Sequence, residues 1–154
     1  MDEYIEPKGS LKIWSVKGGN EKVELLVDKS NLIVTGGKNL IRDILTGQTH
    51  TALSSFAIGT GTNAPALADT GLQSSISYDG TNSYKEYLES STASAQITLV
   101  GYISGAQANG NSLTETGLFS GLGITAGTMY NRITHNAIAK TLSLELRYEF
   151  TLQW

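Results

Sequence analysis

With 154 residues, 40% of them hydrophobic, the chain can build one domain with a real core, and disorder over its whole length is excluded. A net charge of −3 without a basic stripe argues against a nucleic-acid partner, and the absence of cysteine excludes disulfides and thiolate metal sites. No apolar run of about 18 residues exists for a transmembrane helix, and only 16% charged residues leaves Gly, Ser, Thr and Asn to wet a turn-rich, β-structured surface.

Residues 1–9 read as an extended N-terminal arm. Its acidic start, Met1-Asp2-Glu3, lacks the positive region of a secretory signal, so the chain is expected to be made in a cytosol with no address of its own. Leu11 and Ile13 alternate into a first strand, Gly18-Gly19-Asn20 supplies a turn, and Val23, Leu25 and Val27 mark the return strand of a hairpin. Asn31–Val34 is a short apolar run closed by Gly36-Gly37. Leu40, Ile41, Ile44 and Leu45 then recur at helical spacing, and Gly47 stands where a C-terminal cap belongs. This predicts a short amphipathic helix over about 38–46, which must pack on a sheet to persist.

Ala52–Ile58 reads as a strand, and Gly59–Leu72 as a long Gly/Thr/Ala-rich loop with one helical turn near Asp69. Ser74–Glu89 has no clean period and reads as loop with local strand. Further strands are expected around Ala95–Ile103, Leu113–Phe119 and Thr128–Thr134, with a small-residue turn region over Gly105–Asn111. The last fourteen residues alternate throughout. Leu142, Leu144, Leu146, Tyr148, Phe150, Leu152 and Trp154 fall on one face, and polar residues fall on the other. A strand of that length would reach roughly 45 Å, against about 5–6 residues for a typical strand. The expectation is that several strands of the chain, or a neighbouring subunit, must cover it. The whole is expected to be a single mainly β domain, residues 1–154, an antiparallel β-sandwich or barrel-like fold with one packed helix.

Catalytic signals are thin. Gly36-Gly37-Lys38-Asn39 fails the phosphate-loop pattern twice, with Leu32 where the first glycine and Asn39 where Ser/Thr should stand. Gly59-Thr60-Gly61-Thr62 lacks dinucleotide spacing and a surrounding βαβ unit, so a flexible or interface loop is the better reading. His50 and His135 have no second ligand at metal spacing, and no metal or cofactor is expected. Glu115 stands out among Leu113, Leu118 and Phe119. A buried carboxylate must be paired, with Arg132, Lys140 or Arg147 as candidates, and structural pairing is expected over catalysis. A glycan hydrolase would need two carboxylates about 5–10 Å apart, and the sequence places no such pair. No Gly-x-Ser-x-Gly elbow is present. Tyr78, Tyr84 and Tyr87 could form a carbohydrate platform, but loop anchoring is the plainer reading of them.

Certain short motifs occur in a telling order. These are Asn31-Leu-Ile-Val34 and the helix, Phe56-Ala-Ile-Gly-Thr-Gly-Thr62, Ala64-Pro65, Asp69-Thr70 with Leu72, Asn109-Gly110, Glu115-Thr-Gly-Leu-Phe119, Met129 with Arg132, Lys140-Thr141 and the long terminal strand. In this the chain resembles small bacteriophage virion structural proteins, and more loosely the virion-proximal domain of phage tail-collar fibres. The resemblance runs from about Leu11 to Trp154. It implies a non-enzymatic virion subunit, assembled in the bacterial cytoplasm, that self-associates (a trimer is favoured) and touches other virion proteins but neither nucleic acid nor membrane. Stations on the tail, baseplate, neck or fibre attachment are expected first, with capsid decoration as the alternative and a carbohydrate-binding module behind it. Tail-collar fibres continue into a shaft, whereas this sequence stops at Trp154, which weighs toward an adaptor or decoration role. On this reading Leu142, Leu144, Leu146, Tyr148, Phe150, Leu152, Trp154, Glu115, Leu118 and Phe119 are core or intersubunit residues. Gly59, Thr60, Gly61, Thr62, Asp69 and Leu72 form the expected docking loop.

Overall fold

The computed structural model describes residues 6–49, 51–121 and 127–154. Its strands are β1 (Lys8–Lys17), β2 (Glu21–Ser30), β3 (Leu32–Ile33), β4 (Leu53–Gly59), β5 (Tyr84–Glu86), β6 (Glu89–Ala93), β7 (Gln96–Ile103), β8 (Ser112–Ser120), β9 (Met129–Ala139) and β10 (Glu145–Gln153). One helix, α1 (Thr35–Leu45), sits between β3 and β4. The strands form two five-stranded sheets, ordered β2-β1-β10-β7-β6 and β3-β9-β8-β4-β5, and every pairing is antiparallel. This is the mainly β, sandwich-like architecture with one short helix that the alternation predicts.

The hairpin β1–β2 turns through Gly18 and Gly19, whose φ values of 59° and 81° lie where a side chain would be strained. Leu11 and Ile13 of β1, Leu99 and Ile103 of β7, and Leu146, Tyr148, Phe150 and Leu152 of β10 supply one wall of the core. Phe56, Ile58, Leu118, Tyr130 and Ile133 supply the other. The two walls are keyed together by Phe56, whose ring lies 5.3 Å from that of Tyr148 and 6.0 Å from that of Phe150. A Cβ at Gly101 would collide with the same ring, so a glycine there lets the sheets close.

Four expectations need correction. The terminal ribbon is not one strand of fourteen residues. Thr141–Leu144 precedes β10, with the Leu144 N–H bonded back to the Thr141 carbonyl at 3.1 Å, and Leu142 points to water at 75% exposure. Nor does β10 need a neighbour to cover it. It lies at the centre of its sheet between β1 and β7, and Leu146, Tyr148, Phe150 and Leu152 are buried by their own chain. Each such side chain contributes about 1.5–3 kcal/mol to folding, so the ribbon's length is no longer a reason to expect a second subunit. Finally, α1 starts three residues before the expected 38. The glycines that read as a turn are helical and packed: a Cβ at Gly36 would lie 3.1 Å from the Met129 carbonyl oxygen, and one at Gly37 would overlap the backbone of Tyr130. Of the arm expected over 1–9, Lys8 and Gly9 already belong to β1, and 1–5 lie outside the described residues.

Candidate docking site

The loop from Thr60 to Ser75 crosses the face of the second sheet that is turned away from the first. Beneath it Val34, Ala57, Phe119 and Met129 form a small second core, capped by Leu72 and Tyr84. Glu115 lies under the same loop and is completely buried. Its carboxylate accepts four hydrogen bonds and makes one further ion-pair contact. Oε1 takes the backbone N–H groups of Gly61 (3.0 Å) and Ser74 (2.7 Å). Oε2 takes the Gln73 N–H (3.1 Å) and Arg132 Nε–H (2.9 Å), and Arg132 Nη2 lies 2.8 Å from it as an ion-pair contact. Both oxygens are thus saturated, which is the condition for holding a charge in a dry interior.

Arg132 of β9, its side chain only 3% exposed, carries the network outward. Nη1 donates to Asp69 Oδ2 at 3.0 Å, and Nη2 donates to the Asn63 carbonyl at 3.1 Å. Gln73 Oε1 takes the N–H groups of Thr62 and Asn63, both at 2.9 Å, and Thr114 Oγ1 donates to the Gly61 carbonyl at 2.7 Å. Burial alone would raise the Asp69 pKa, but the Ala66 N–H and the Arg132 guanidinium outweigh it and hold the carboxyl below its ordinary value. Burial also works against the charge on Arg132, and the hydrogen bonds it donates to Asp69 and Glu115 more than restore it.

This network explains the Gly-Thr-Gly-Thr run. A Cβ at Gly59 would stand 2.6 Å from Glu115 Oε1, and one at Gly61 would stand 2.5 Å from it. The glycines are there so that backbone can close on a buried carboxylate. In the same way a Cβ at Gly117 would lie 2.6 Å from the Asn131 carbonyl oxygen, which gives the Glu-Thr-Gly segment its packing reason. The outcome is a loop with a fixed underside and an exposed outer surface, where Thr62, Asn63, Ala66, Leu67 and Thr70 face water.

A second buried cation does for another loop what Arg132 does here. Lys140 is 2% exposed, and its Nζ donates to Thr141 O (2.9 Å), Asn109 Oδ1 (3.1 Å) and Gly105 O (3.3 Å). Burial lowers its pKa, and Glu145 partly offsets that. The 104–111 turn is fastened to the end of β9 in this way, helped by Lys140 O accepting the Gly110 N–H at 3.0 Å. Sequence reasoning named Lys140 only as a partner for Glu115. Its real acceptors are neutral, and no spacing rule points to them.

Of the docking residues named from sequence, Gly59, Thr60, Gly61, Thr62, Asp69 and Leu72 lie in this one region, but Gly59 and Gly61 are buried against Glu115 and out of a partner's reach, and of the six only Thr62 is exposed. Of the intersubunit candidates, Glu115, Leu118, Phe119, Leu146, Tyr148, Phe150 and Leu152 are interior, so a partner cannot reach them. Leu144 is half-buried, and only Leu142 and Trp154 are exposed. Among the tyrosines, Tyr84 stands edge-on to Phe119 and Tyr87 donates to the Ser55 carbonyl at 2.9 Å, as loop anchors do. His135 is buried beside its own Asn136 carbonyl, and His50 lies outside the described residues. Among the described residues, no three His, Cys, Asp or Glu side chains converge as metal ligands. Comparison with known proteins found no matching family model, curated protein or solved structure.

Proposed function

We propose that this chain is a non-enzymatic structural subunit of a bacteriophage particle, which self-associates and docks on a larger assembly through the Thr60–Ser75 loop. The observation that carries the docking reading is the buried Glu115–Arg132–Asp69 network, whose hydrogen bonds hold the shape of an exposed loop. Long loops of fixed shape in compact domains are usually recognition elements, and preorganisation lowers the entropy cost of binding. The order of short motifs supplies the phage context. The non-enzymatic reading is supported by Glu115 itself: fully buried, with two hydrogen bonds on each oxygen and the Arg132 guanidinium against it, its carboxylate has no free oxygen for a substrate. A tail, baseplate, neck or fibre-attachment station is the first choice, with capsid decoration as the alternative.

The test uses purified particles of the phage that encodes the chain. The wild-type protein is expected in them by mass spectrometry, and added tagged protein is expected to bind particles lacking it. A Leu67→Glu/Ala66→Lys variant of unchanged melting temperature is expected to fail in that binding. Absence of the protein from the particles, or undiminished binding by the loop variant, would sink the proposal. Binding to isolated tails or to empty heads decides the station.

A further inference from the structure

We infer that Lys140 and Asn109 join in an intramolecular isopeptide bond, a covalent clasp that the chain forms by itself between the end of β9 and the 104–111 turn. This is independent of the docking loop and of self-association.

A buried lysine whose acceptors are all neutral is a costly arrangement. One of those acceptors, the Asn109 carboxamide, is also a group that an amine can attack. Asn109 Oδ1 lies 3.1 Å from Lys140 Nζ, so the carboxamide carbon, one bond beyond, is no farther than about 4.3 Å from it. A shift of about 1 Å brings the two into near-attack range. Both partners are held in place. The Gly110 N–H donates to the Lys140 carbonyl at 3.0 Å, and the Lys140 N–H donates to the Asn111 carbonyl at 2.9 Å, which pins the turn's backbone against Lys140. Asn109 Nδ2 donates to the Gly105 carbonyl at 2.9 Å, and the same carbonyl takes Lys140 Nζ at 3.3 Å. The residues on either side of Asn109 are left-handed, Ala108 at φ 56° and Gly110 at φ 80°, a conformation uncommon for a residue with a side chain.

The chemistry follows from these positions. An asparagine followed by glycine ordinarily loses ammonia to its own next backbone nitrogen, but here that nitrogen is engaged by the Lys140 carbonyl. Burial pushes Lys140 toward the neutral amine, which is the nucleophilic form, and the Glu145 charge opposes it. Glu145 also borders the pair. A Cβ on Gly105 would lie 4.0 Å from Glu145 Cγ, and the Tyr102 hydroxyl donates to Glu145 Oε1. Neutral Lys140 Nζ attacks Asn109 Cγ; the Cγ–Nζ bond forms and the Cγ–Nδ2 bond breaks. Glu145 takes the proton released from Nζ and passes it to Nδ2, which departs as ammonia. Nothing is oxidised or reduced, and no co-reactant is needed. The product replaces a buried ammonium by a neutral amide, and escape of ammonia into water draws the exchange forward. The bond closes residues 109–140, with the whole of β8 and β9, into one covalent ring that carries Glu115 and Arg132.

Intact-mass spectrometry reads the bond directly. The full chain, purified and held overnight at neutral pH, is expected to weigh less than its sequence by one molecule of ammonia. Trypsin is expected to leave Lys140 uncleaved and to release residues 86–132 and 133–147 joined through Asn109 and Lys140. Lys140→Arg, which keeps the charge, and Asn109→Ala are expected to show the full mass of their sequences. Glu145→Gln is expected to form the bond at least about tenfold more slowly, with an unchanged circular dichroism spectrum. The full sequence mass in the wild-type chain would overturn the inference, and that reading depends on the folding of no variant. Ammonia loss that persists in Lys140→Arg would overturn it too, by assigning the loss to a succinimide at Asn109-Gly110. An undiminished rate in Glu145→Gln would overturn the proton route through that residue.

Discussion

Glu115→Gln keeps the shape of the buried side chain, removes its charge and replaces one acceptor oxygen by a donor. That amide must then face Gly61 and Ser74, or else Gln73 and Arg132, all of which offer only hydrogen to it. Breaking a buried pair from one side costs about 3–5 kcal/mol, and because Asp69 still holds Arg132 the lower part of that range, about 3–4 kcal/mol, applies. Against a total stability of about 5–15 kcal/mol this is a large fraction, and it lowers the melting temperature by about 6–16 °C for a chain of this size. Urea unfolding and calorimetry measure the loss. Hydrogen exchange locates it: the amides of Gly61, Gln73 and Ser74 are expected to lose protection while those of β10 keep theirs. A double-mutant cycle with Arg132→Met is expected to give a coupling of about 2 kcal/mol or more. A loss under about 1 kcal/mol for Glu115→Gln, or unchanged exchange at the loop amides, would refute the argument that this pair shapes the loop.

Gly61→Ala is expected to cost about 2–3 kcal/mol by forcing a methyl onto Glu115 Oε1, whereas Gly71→Ala, with open space around it, is expected to be neutral within about 0.5 kcal/mol; urea midpoints compare them. Phe150→Ala is expected to lose about 3–5 kcal/mol and Leu142→Ala under about 0.5 kcal/mol, and similar losses at both would mean that Leu142 is also covered. His135 has its pKa lowered by burial, with the Lys29 charge adding to that effect, so the unfolded chain takes up its proton first. Stability is therefore expected to be full above the ordinary value of 6.5 and to fall as pH drops from there toward the folded-state value. His135→Gln flattens that part of the curve, and an unchanged slope would assign it to other groups. Asp69 behaves with the same sign at lower pH: its stabilisation is present above 3.8 and is lost below it, a loss that Asp69→Asn abolishes in acid titration followed by circular dichroism.

Where burial on one face and water on the other wrote an alternation into the sequence, the strands were legible. That holds for β1, β7 and β10, whose inner residues Leu11, Ile13, Leu99, Tyr148 and Phe150 all face the second sheet. β6 left no such trace, because Glu89–Ala93 is an edge strand exposed on both faces and its small polar residues have nothing to alternate between. The terminal segment misled for the opposite reason. Its period runs on through Thr141–Leu144, where the chain turns, so pattern alone overstated the strand by five residues at its start and end. At the site, the apolar neighbours of Glu115 marked it as buried and in need of a cation. Which cation could not be read, because Arg132 reaches it only through the β8–β9 register, which opposes Arg132 to Gly117 and Thr134 to Glu115. The acceptors of Lys140 were hidden, since two of the three are backbone carbonyls, which carry no sequence signature.

The two buried cations of the β9 segment bear on why this fold keeps charge where an apolar core would serve. A buried ion pair is a poor source of net stability, and well-packed apolar residues often replace one without loss. Such a replacement here would leave the N–H groups of Gly61, Gln73 and Ser74 and the Asn63 carbonyl without their present partners. The sandwich itself would survive on its aromatic and aliphatic core, since neither Glu115 nor Arg132 lies between the sheets. What would be lost is the conformation of a glycine-rich loop whose ordering costs about 1–2 kcal/mol per residue in backbone entropy. The charges are therefore explained by the loop and not by the scaffold. A surface fixed at that cost is what the proposed docking role requires.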